Sequence, residues 1–213
     1  MKNLKNYFTL RVKTLNNMKN LFLIFIFLFS LNTCAQTQKK ETELPFSEIG
    51  EYPANFSQAN IVSRMIEGLG YRYYWATKSL TENDLNYKSS NDARSTLQII
   101  EHIYSLTMMI SSSFEKQEFK FTSVAYNYDE LRAKTLLKLK YIHDELRSNP
   151  DFSQLFIKFE RGGTKMEFPF WNQINGPISD ALWHCGQVVM NRRSSGNPLQ
   201  SGVNVFVGKT SKQ

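Results

Sequence analysis

Four stretches of the chain carry apolar residues at helical spacing. Over about residues 55–80, Ile61, Val62, Met65, Ile66, Leu69, Tyr73, Ala76 and Leu80 share one arc at about 100° per residue, the pattern of a helix with one face in a core. Gly68 and Gly70 interrupt it. Each lowers helix propensity by about 1 kcal/mol, so a close helix neighbour or a bend is expected there. A second helix is expected from residue 92 or 95 to 114, with Ile99, Ile103, Leu106, Met109 and Ile110 inward and His102 at the edge of the arc. A third covers about 128–148 through Leu131, Leu136, Leu139, Ile142 and Leu146, places His143 near its polar boundary, and stops before Asn149-Pro150. Within 155–169, LFIKFE and KMEFP flank Arg161-Gly162-Gly163-Thr164, the composition of a short hairpin. Asn175-Gly176-Pro177 opens a fourth helix with proline in its first turn, and Ser195-Gly196-Asn197-Pro198 closes it. This pattern predicts an all-α fold, a four-helix bundle over residues 55–198 with a small β-hairpin insertion before the last helix. Residues 36–54, polar and holding Pro45 and Pro53, read as a tether, and 199–213 as a C-terminal tail.

The N-terminus has a different pattern. From Met18, a short basic stretch (MKN) is followed by LFLIFIFLFSLNT and then CAQTQ, the order of a secretory signal. The unbroken apolar run at 21–29 is far below the roughly 20 residues that a spanning helix needs. Residues 1–35 are therefore expected to be a signal peptide, with translation starting at Met1 or at Met18. Two cleavage outcomes compete: ordinary cleavage before Gln36, or a loose lipoprotein box, LNTC, in which Cys34 is acylated. Both place the domain outside the cytoplasm, in the periplasm or cell envelope. Membrane contact is then expected only through the signal peptide or a lipid anchor.

The leader also explains the charge of the chain. The 213 residues contain 26 Lys and Arg against 19 Asp and Glu, a surplus that favours anionic partners. Five of the basic residues (Lys2, Lys5, Arg11, Lys13, Lys19) and no acidic residue lie in 1–35, leaving 21 against 19, a net +2, in the expected mature domain. No nucleic-acid partner is expected from that balance. The mature domain keeps one cysteine, Cys185, so no disulfide framework supports it. There is no phosphate-binding glycine loop, nucleophile elbow or zinc-finger cysteine spacing.

The chemistry that does stand out is on the fourth helix. Asp180, His184, Gln187 and Asn191 fall within about 60° of arc around its axis and form one polar stripe. Ala181 and Val188 border it on one side and Trp183 and Met190 on the other, which predicts burial on both flanks. Buried polar groups need partners. An Asp and a His at i and i+4 project side by side and can grip one ion, and His102, inward on the second helix, is the candidate third ligand. Two His and one carboxylate leave coordination positions open to water or substrate. Simpler readings stand beside these. His184 could be a core histidine bonded to a carboxylate, and Asp180 an acid favoured by the helix dipole. Gln187 could orient a ligand or bond a neighbouring helix. Arg72 reads as an arginine snorkelling from a helix edge, Arg192 and Arg193 as dipole partners, and Cys185 as a packed thiol.

His102 in the context STLQIIEHIYSL, followed by GPISDALWHCGQVVMNRR, resembles the DinB-like (YfiT-like) metalloenzyme family. The resemblance implies a four-helix bundle in which a histidine on helix two joins a terminal H-x-x-x-H-x-G-Q pattern to bind a divalent metal. His184, Gly186 and Gln187 match the end of that pattern, and Asp180 stands where its first histidine would be. A carboxylate there keeps a ligand but changes charge and softness, leaving zinc, nickel, iron and manganese as candidates. The expected function is that of an exported metal-binding protein, a metal-dependent hydrolase or transferase of unknown small-molecule substrate. The alternative is a non-catalytic envelope protein or lipoprotein that binds a ligand or partner, a second copy of the chain included.

Overall fold

Side-chain caps set where the helices begin. In the computed structural model, which describes residues 44–123 and 125–211, α1 (Gln58–Ala76) starts where the Ser57 hydroxyl accepts from the Asn60 amide. The short α2 (Glu82–Asn86) and the long α3 (Thr96–Phe114) open on capping boxes, Thr81 with Asp84 and Ser95 with Gln98. After β1 (Glu118–Phe119), Asn127 with Glu130 caps α4 (Tyr128–Arg147) in the same way. Each such cap satisfies amides that the helix cannot, worth about 1 kcal/mol. β2 (Phe156–Arg161) and β3 (Thr164–Pro169) pair antiparallel across Gly162 and Gly163, both at positive φ. The chain continues through α5 (Phe170–Gln173) and a π-helical turn (Ile174–Ile178) into α6 (Ser179–Ser194). β4 (Val203–Asn204) and β5 (Lys209–Thr210) end it.

The core lies among the four long helices. α1 packs on α4 and α6, and α3 packs on the same two. Ile66, Leu69 and Tyr73 of α1, Ile100 and Ile103 of α3, Leu136 and Leu139 of α4, and Ala181 and Val188 of α6 are fully buried there. At about 25 cal/mol per Å² of apolar surface, this burial is the main stabilising term, and no disulfide adds to it among the described residues.

The all-α four-helix bundle expected from the apolar pattern is not what forms. β1 pairs parallel with β2, giving a three-stranded mixed sheet in the order β1-β2-β3, and β4 and β5 form a second sheet. The described residues are 54% helical and mixed in class. The cause is local. After α3, Lys116 takes a left-handed φ of 53° and turns the chain so that Phe119 buries beside β2. A strand of two residues leaves no period-two pattern to read. The second sheet is equally short and closes on the N-terminal segment. The Ile49 amide donates to Gly208 O at 2.8 Å, and Tyr71 Oη donates to Lys209 O at 2.7 Å.

Gly70 belongs to the same contact. A Cβ at that position would lie 2.4 Å from the Phe46 ring, so the close neighbour that excludes a side chain is an aromatic from residues 44–50, not another helix. Among the described residues no helix is long and apolar enough to cross a membrane. The expected leader, Met18 and Cys34 lie outside the described residues.

The entry to α6 positions the site. Gly176 breaks helical geometry (φ −90°, ψ −111°), and the Ser179 hydroxyl donates back to Ile174 O at 2.6 Å across the wide turn. Asp180 therefore sits in the first turn of α6, and His184 one turn later.

Candidate metal centre

α6 supplies Asp180 and His184 from one face, and α3, packed against it, supplies His102. His102 Nε2 is 3.3 Å from Asp180 Oδ2, and His184 Nε2 is 3.4 Å from Asp180 Oδ1. One carboxylate thus spans two imidazoles, whose rings stand edge to face at 4.6 Å and 87°. One ligand atom from each of the three residues lies within 4.8 Å of the others, so the group can hold a metal ion. The two carboxylate contacts exceed the roughly 2.7–2.9 Å of a charge-assisted hydrogen bond.

The surroundings favour the ligand forms of these side chains. His184 Nδ1 donates to Gln187 Oε1 at 2.8 Å, which orients the ring with Nε2 toward Asp180. Burial lowers the pKa of His102, as do the charge of Arg94 and the nearby His184, against the opposing pull of Asp180. A neutral imidazole is the form that binds metal. The His184 side chain is 10% exposed, whereas His102 and Asp180 are 30% and 38% exposed, so the cluster is closed around His184 and open to solvent at His102 and Asp180.

The stripe itself is only half buried. Ala181 and Val188 are fully buried, but Trp183 is 72% and Met190 58% exposed, which corrects the expectation of burial on both flanks. α6 turns one flank into the core, and the other forms the lip of a groove of about 660 Å³ lined by Arg94, Ile99, Trp183, His184, Gln187 and Met190. Asn191, at the far end of the stripe, is buried and donates to Thr96 Oγ1 at 3.2 Å, a bond between α6 and the start of α3.

The remaining candidates have structural places. Arg72 Nη1 donates to Gly68 O on its own helix at 3.0 Å. Cys185 is buried, and burial pushes its thiol up to about 12, so it is packed and unreactive. His143 bridges α4 to α1 through Glu67 Oε1 at 3.0 Å. Sequence reasoning missed Arg94 as a lining residue, because it lies before the Ser95 cap and on no periodic face.

Comparison with protein-family models, with curated proteins and with solved structures finds no match.

Proposed function

We propose that this chain is an exported metalloprotein in which His102, Asp180 and His184 hold one divalent ion, zinc, nickel, iron or manganese, for hydrolysis or group transfer on a small molecule. The observation that carries the reading is the meeting of three donor side chains from two helices, one of which, His184, also lines a groove. The likeness of the α6 motif to the DinB-like family supports it independently of geometry.

The chain's own residues have distinct tasks in this reading. Asp180 brings the negative charge, the two imidazoles bring neutral nitrogen donors, and Gln187 holds the His184 ring in one orientation. When bound, the ion supplies Lewis acidity toward a substrate oxygen. The exposed side of the cluster admits the substrate, while the buried side keeps the ligands from turning away.

Metal analysis of the full chain, reconstituted in turn with each of the four ions, tests the proposal. One ion per chain is expected for at least one metal. His184→Ala and Asp180→Ala should each lower its affinity at least a hundredfold, and Gln187→Ala about tenfold, as supporting residues of metal ligands do. A wild-type chain that takes up none of the four ions overturns the reading.

A further inference from the structure

Resting on that metal reading, we propose that the groove beside His184 binds a small monocarboxylate with a flat apolar part, its carboxylate on Arg94 and its apolar part against Trp183 and Met190.

Three observations converge on this chemistry. First, Arg94 is exposed at the groove wall and makes no hydrogen bond or ion pair among the described residues. Four of the eight described arginines, Arg64, Arg72, Arg132 and Arg192, are engaged by carboxylate, carbonyl or hydroxyl oxygens, and of the other four Arg94 is the one that lines this groove. Second, no acidic side chain lines the groove, so its fixed charge is the guanidinium alone. One arginine suits a singly charged carboxylate, which it can grip through two parallel N–H bonds. Third, the opposite wall is apolar and exposed. Trp183 and Met190 lie two turns apart on α6, Ile99 lines the same groove, and a Cβ at Gly186 between them would meet nothing within 4 Å.

These features also set the orientation. His184 lines the groove and belongs to the metal-holding cluster, so a molecule anchored at Arg94 and laid along Trp183 would present its remaining polar group to the cluster.

The test is calorimetric titration of phenylacetate, phenylacetamide and acetate into the full chain, metal-free and zinc-loaded. Phenylacetate is expected to bind both forms at least tenfold more tightly than either of the other two. Arg94→Gln should weaken phenylacetate about tenfold and leave phenylacetamide unchanged. Trp183→Ala should weaken phenylacetate and phenylacetamide together. Arg94-dependent phenylacetate binding in a chain that takes up no metal would support the groove while overturning the metal reading. Phenylacetate binding that Arg94→Gln leaves unchanged, or that requires zinc, overturns the groove proposal and leaves the metal reading standing.

Discussion

The neighbours of a histidine decide whether it holds a proton or offers a lone pair, and His102 and His143 go opposite ways. Burial, Arg94 and His184 pull His102 below its ordinary pKa of 6.5, toward the form that binds metal. The hydrogen bond that His143 donates to Glu67 outweighs burial and raises His143 above the same value. Burial works to raise Glu67, but His143 and Arg64 hold it below its ordinary 4.5. The sign of the pH effect follows. A raised folded-state pKa on His143 gives stability that is fully present below 6.5 and lost as pH rises through the raised value. The lowered Glu67 contributes above 4.5 and loses its share as pH falls through its lowered value. The pair is therefore strongest between the two. His143→Gln should cost about 1–2 kcal/mol in urea unfolding near pH 5.5 and clearly less near pH 8.5. Equal costs at both pH values would show that the bond between α4 and α1 does not depend on charge.

At the scale of elements, the end of α1 is where sequence reasoning and structure differ most in kind. α1 has no basic residue in its last turn. Instead Arg192 of α6, buried, donates from Nη1 to Trp75 O, Ala76 O and Lys78 O at 3.0–3.2 Å. Arg132 of α4 reaches Tyr74 O at 3.3 Å, and the Tyr128 hydroxyl donates to Thr77 O. Carbonyls at and just past the end of α1 thus receive donors from two other helices. Arg192→Leu should lower the unfolding free energy by about 3 kcal/mol, because the carbonyls stay buried without donors, and Arg192→Lys should recover only part of it. A loss below about 1 kcal/mol for Arg192→Leu, measured by denaturant titration, would mean that water replaces the guanidinium. From the sequence, Arg192 reads as a dipole partner of its own helix, since nothing local says which carbonyls it faces. The long helices are legible because apolar residues recur over four or five turns. β1, β4 and β5, two residues each, have no period to show, and on them the fold class turns.

Across the whole molecule, the cluster ties α3 to α6 over a sequence separation of 78 residues. Asp180 and His184 could be paired from their i, i+4 spacing, whereas joining His102 to them took both its inward direction and the family likeness. The solvent-facing flank at Trp183 and Met190 had no sequence signal, since large apolar residues on a helix read as buried. An ion held between two helices links binding to folding. At a hundredfold excess over its dissociation constant it should add about 2.7 kcal/mol, a rise of about 5–10 °C in Tm for a unit of this size. The rise should shrink as pH falls, because a proton on His102 competes with the metal for the same imidazole. His102→Ala is the informative variant, because its side chain is 30% exposed and its removal leaves little cavity. Thermal melts of that variant should match wild type to within a few degrees without metal and show no rise with it. An undiminished rise in His102→Ala would locate the stabilising ion away from the junction of α3 and α6.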